Sequence, residues 1–152
     1  MSAINWEDGS REQQAAAVAT ASVINTLERE KINMTHVSEV LIAMNEDLQI
    51  RDYALGLIDS ERLDHFEDTF RWLTTVAPDD MKSAPACMLA AVLYEKGKKS
   101  SALEALTIAR SDYSLATLLN RVFQSDAHSR MLAIMREELH PQVCAVIFGE
   151  DA

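Results

Sequence analysis

An all-α domain of about eight antiparallel helices is what this sequence predicts, on three observations. Ala84 to Tyr94 reads Ala-Pro-Ala-Cys-Met-Leu-Ala-Ala-Val-Leu-Tyr without a charge, and a helix apolar on every side is one surrounded by other helices. Gly97 breaks that segment before a second alanine-rich stretch, Ala102 to Ala109. Four Gly and three Pro in 152 residues leave too little punctuation for the many turns of a β-fold. A chain of this length buries a core without staples, and 48% hydrophobic residues is ordinary for a globular domain.

Residues 1–9 are expected to form a flexible arm, with Ile4 and Trp6 able to dock. Residues 10–148 then form a single helical domain with subassemblies 10–77 and 83–140. Ser10-Arg-Glu-Gln13 is a capping box opening a first helix to about Lys31, its buried stripe marked by Ala17, Ala21, Ile24 and Leu27, with Val23 beside them. Thr35 is a good cap for a second helix, whose face is Val37, Val40, Leu41, Met44 and Leu48. Asn45–Asp47 makes the turn to a third, with Ile50, Tyr53, Ala54, Leu57 and Ile58 on one stripe. Gly56 inside it costs about 1 kcal/mol relative to Ala, tolerable where a neighbour packs closely.

Asp59-Ser60 is placed to cap a fourth helix, with Leu63, Phe66, Phe70, Leu73 and Val76 inward and an end before Pro78. The fifth begins after Ser83, with Pro85 in its first turn and Gly97 as its C-terminal cap. Ser101-x-x-Glu104 caps the sixth, and Ser111 or Asp112 the seventh, whose face is Leu115, Leu118, Leu119 and Val122. An eighth runs from about Asp126 to Leu139 and stops at Pro141, leaving an apolar tail, Val143 to Phe148. That tail is either a last turn tucked onto the body or a contact for self-association.

The net charge of −10, with only 14 Lys and Arg, argues against nucleic acid, which demands a cationic face. The same deficit disfavours an anionic membrane surface. No apolar run approaches the roughly 20 residues that span a bilayer, and the N-terminus lacks a basic region before a greasy segment, so no signal peptide is expected. Two cysteines, Cys87 and Cys144, without such a signal read as reduced thiols in a cytoplasm, with Cys87 a buried apolar residue.

Around Gly97, the small or apolar residues Ala86, Leu89, Ala90, Leu93, Ala102, Leu106 and Ala109 make one hairpin similar to a tetratricopeptide repeat. Ala90 and Ala102 mark the close approach of two helix axes. No second copy follows at a fixed period, so an array is not expected. Asp112-Tyr-Ser-Leu-Ala-Thr-Leu-Leu119, after an Ala-Pro-Ala helix and a Gly turn, resembles the C-terminal half of an actinobacterial group, domain-of-unknown-function family 4192. Ile50-Arg-Asp-Tyr-Ala-Leu55 resembles the preceding helix of that family. The resemblance runs from Leu48 to Leu119. Members of the family are longer, so a fragment or a short relative is implied. It implies a helical fold and an actinobacterial cytoplasm, and supplies no catalytic residue.

No Gly-rich phosphate loop, His-Glu-x-x-His, Cys-x-x-Cys or Gly-x-Ser-x-Gly occurs. The four histidines, His36, His65, His128 and His140, share no metal spacing, and no cofactor is expected. His65 and Asp68, three apart on one helix face, form either an acid/base pair or weak metal site, or part of a solvated helix surface. Glu137-Glu138-Leu139-His140 takes the same two readings. Lys96, Lys98 and Lys99 suit a helix C-terminus or an anionic ligand. Met44, Met81, Met88, Met131 and Met135 fill a core or line an adaptable groove.

These features favour a protein–protein interaction or self-association module, the partner being another protein or a second copy. Trp72, Val143, Val146 and Phe148 are the candidate contacts. Two alternatives stand beside it: an enzyme or ligand- or metal-binding helical domain around His65 and nearby carboxylates, and a regulatory or structural fragment of a larger protein.

Overall fold

The computed structural model describes residues 4, 6–125 and 129–149. Among them are eight α-helices and no strand. The helices are α1 (Arg11–Asn25), α2 (Met34–Glu46), α3 (Leu48–Gly56), α4 (Leu63–Val76), α5 (Ser83–Glu95), α6 (Lys99–Leu106), α7 (Ser114–Gln124) and α8 (Ser129–Phe148). Short 3₁₀ turns, Arg29–Lys31 and Asp79–Met81, precede α2 and α5. The chain forms two compact units. One holds the described residues through Leu57 and those from Glu137 on; the other is Ile58–Arg136.

In the first unit α1, α2 and α3 pack on one another. Ser10 caps α1 as expected, its Oγ accepting from the Gln13 amide. Ala17, Val23 and Ile24 are buried, but α1 ends at Asn25 and Leu27 is 76% exposed. The predicted run to Lys31 fails because Thr26 is already extended, which turns Leu27 off the stripe. Asn33, not Thr35, caps α2, accepting from the Thr35 amide. Val37, Val40, Leu41 and Met44 are buried.

The α2–α3 turn hinges on Asp47. It ends α2, and its Oδ1 accepts from the amides of Gln49 and Ile50 to start α3. Its Oδ2 accepts from buried Gln13 Nε2 at 3.1 Å, tying the turn to α1. Leu48 therefore opens α3 and is exposed rather than completing the α2 face. Ile58 is buried but lies beyond the end of α3.

In the second unit α5 packs against α4, α6 and α7. Every residue from Ser83 to Tyr94 is buried, including Leu89 and Leu93. Gly97, at φ +80°, ends α5, with the amide of Lys98 donating to Leu93 and that of Gly97 to Tyr94. This paired closure is the one a left-handed glycine permits. Ala90 and Ala102 are both fully buried, as a close α5–α6 contact requires. Asp79–Met81 joins α4 to α5 inside this unit, where Lys82 Nζ donates to the Thr74 carbonyl near the end of α4.

Several boundaries differ from expectation. Arg62 rather than Asp59 or Ser60 precedes α4, α6 starts at Lys99 without the Ser101 cap, and Tyr113 precedes α7. Leu118 is half exposed, while Phe123 takes a core place. The expected start of the last helix at Asp126 lies outside the described residues. Pro141 does not stop α8, which continues to Phe148. An internal proline costs about 3 kcal/mol; burial of Val143 and Ile147 beyond it offsets that cost.

Candidate functional site

Gly56 organises one wall of the site. A Cβ there would collide with the His140 imidazole, so only glycine lets the ring lie on the α3 backbone. His140 stacks on Tyr53, ring centroids 5.6 Å apart, and Tyr53 meets the edge of Phe148 at 5.9 Å. Cys144, one turn after His140, places Sγ 3.5 Å from Nε2. Burial pushes the Cys144 thiol up, and burial together with the nearby thiol raises Tyr53. Both groups therefore stay protonated at neutral pH, and the cluster is built for packing rather than for nucleophilic attack.

This stack sets Phe148 beside α1. Gln14 Nε2 donates to the Ile147 carbonyl at 3.2 Å, pinning the end of α8 to the same helix. Between them runs an open groove of about 720 Å³, floored by Ala15, Val18, Ala19 and Ser22 and bounded by Arg11, His36 and Phe148. Val18 is 61% exposed on that floor. A narrower groove of about 340 Å³ shares Ala15 and Ala19 and carries Trp6, Glu12 and Glu39. Trp6 Nε1 donates to Glu46, holding the N-terminal segment against the end of α2.

Small residues on an exposed helix face admit a second helix at short axial distance. The inner face of α1 is fixed by buried Gln13, Thr20, Val23 and Ile24, so the outer face is held in place without a partner.

Among the sequence-predicted contacts, Phe148 is half-buried and lines the wider groove, Val146 is 40% exposed, and Val143 is buried and supports the helix. Trp72 is half-buried and belongs to the other unit. His65, also there, lies edge-on to Phe66, and Asp68 on the same helix is exposed. His128 lies outside the described residues. Lys96 Nζ bonds Asp64 and, at 2.7 Å, Glu67, which occupies that lysine with carboxylates rather than an anionic ligand. The Lys96 bond is the main cause holding the Glu67 carboxyl below its ordinary range, and Arg71 adds to it. Met44 and Met88 fill the core, whereas Met131 and Met135 are half exposed.

Two features escaped the sequence reading. The α1 groove was hidden because Ala15 and Val18 share an alanine-rich helix with buried Ala17, and residue type alone does not say which face is open. Buried Glu95 and Arg136 form an ion pair in the second unit, with Ser60 Oγ accepting from Arg136 and donating to Glu95. No pattern links residues so distant in sequence. Among the described residues no group of three or more His, Cys, Asp or Glu is placed to hold a metal ion, and no helix is long and apolar enough to cross a membrane.

A family model described as a domain of unknown function, DUF4192, matches residues 2–129. The match begins well before Leu48, taking in α1 and α2, and ends at the start of α8. No curated protein and no solved structure matches the chain.

Proposed function

Because this chain belongs to the DUF4192 family, whose name assigns no activity, we propose its role from geometry: a protein-interaction module that docks a helix along the outer face of α1. The observation that carries this reading is the groove floored by Ala15, Val18, Ala19 and Ser22 on a helix already anchored from its other side. Such a floor gains little from water, and a partner helix recovers the apolar burial at roughly 25 cal/mol per Å². An open trough suits a helix laid along it.

A photo-reactive residue at Val18, exposed in the groove, tests the reading against the same residue at Leu118, exposed in the other unit. Cross-linking in an extract of the producing cells is expected at Val18 to one defined protein, or to a second copy, and to be lost in Ala15→Leu. Equal labelling from both positions, with a molar mass that stays monomeric as concentration rises, would contradict it.

A further inference from the structure

The two flanks of the α1 ridge differ in charge, and this selects the partner. Arg11 and His36 border the wider groove, whereas Glu12 and Glu39 border the narrower one. Neither Arg11 nor His36 forms an ion pair among the described residues. Elsewhere on this acid-rich chain Lys31, Arg51, Arg71, Lys96, Lys98, Arg110 and Arg136 meet carboxylates. Lys82 donates to backbone carbonyls and Arg62 lies over the Phe66 ring, whereas Arg121 also forms no ion pair among the described residues. The wider groove thus has a guanidinium and an imidazole without carboxylate partners among the described residues, at the edge of an apolar floor on a chain rich in acid.

Their spacing is also informative. Gln13–Asp47 and Trp6–Glu46 hold the end of α2 by the start of α1. His36, near the other end of α2, therefore lies toward the end of α1 that carries Ser22, and Arg11 lies at the opposite end. At 1.5 Å per residue the interval from position 11 to 22 is on the order of 16 Å, about three turns.

We infer that the wider groove is selective for an acidic amphipathic helix, with a small-residue stripe against Ala15, Val18 and Ala19 and carboxylates about three turns apart facing Arg11 and His36. This rests on the reading of the groove as a docking surface and adds the chemistry of its occupant. Such flank charges act mainly on specificity and encounter rate, so the preference is salt-sensitive.

Three fluorescent alanine-rich helical peptides test it on the full chain, identical except for Glu, Gln or Lys at two positions eleven apart. Anisotropy is expected to rank them Glu, then Gln, then Lys, with about a tenfold gap between the extremes at low salt and a much smaller one at high salt. Arg11→Glu and, separately, His36→Glu are expected to narrow or invert that order. Equal binding of all three, lost in Ala15→Leu, would overturn the charge selectivity and leave the docking surface standing. No binding by any peptide would also overturn it, and Val18 cross-linking then decides separately whether the groove docks anything. A molar mass that doubles with concentration and reverts in Ala15→Leu, without preference for the acidic peptide, would assign the groove to a second copy and overturn the inference.

Discussion

Helices α1 and α5 are both rich in alanine, yet meet opposite surroundings. Along α5 every side chain from Ser83 to Tyr94 is enclosed by α4, α6 and α7. Along α1 only one side is enclosed, and Ala15 and Val18 face an open groove. The contrast teaches that an alanine stripe states how close a neighbour can come, not whether one is present. In α5 the neighbours belong to the same chain; for α1 we assign the missing one to a partner.

The largest expected effect sits where α5 ends. Arg136→Met leaves the Glu95 carboxylate buried without its cation, and the expected loss is about 3–5 kcal/mol in denaturant unfolding. Replacing both partners, Glu95→Met with Arg136→Met, is expected to recover most of it. A single variant as stable as the parent would mean that this end of α5 is not closed.

Next come the small residues themselves. Ala90→Leu or Ala102→Leu over-packs a fully enclosed contact and is expected to cost about 1–3 kcal/mol. The same change at Ala15, on the open face of α1, is expected to stay within about 0.5 kcal/mol. Similar melting shifts at positions 15 and 90 would erase the contrast between the helices.

On the inner side of α1, Asp47→Ala removes the α3 cap and the acceptor for buried Gln13. A loss of about 1–2 kcal/mol is expected in chemical unfolding. A smaller loss would show that α1 is not anchored from within, which the open outer face requires.

The smallest effect is electrostatic. Glu67 is held below its ordinary range chiefly by Lys96, just past the end of α5. The folded state therefore binds that proton less tightly than the unfolded chain. Its contribution is complete above the ordinary glutamate range and fades as pH falls through the lowered folded value. Glu67→Gln is expected to cost about 0.5–1 kcal/mol at neutral pH. The gap should close in acid, as pH falls through that lowered folded value, and one that persists there would point to packing instead.

How much of this was legible follows the same division. Patterns within one helix were readable, because burial of Val37, Val40, Leu41 and Met44 repeats at the helical period. The α5 hub was readable because an uncharged helix ending in glycine leaves few alternatives. Boundaries were less so. Thr26 ends α1 without glycine or proline, Asp47 caps two helices at once, and tertiary burial carries α8 through Pro141. The tail read as Val143–Phe148 became a helix end, and only its placement by Tyr53 and His140 brings Phe148 to the groove. An open face of small residues cannot be told from a closed one by composition, so the groove needed coordinates.

The central claim is tested most directly by pairing Ala15→Leu with Ala90→Leu and measuring both thermal midpoint and cross-linking from Val18. The account predicts that Ala15→Leu melts with the parent and loses its cross-link, while Ala90→Leu melts earlier and, where still folded, keeps it. A destabilised Ala15→Leu, or one that cross-links like the parent, would contradict it.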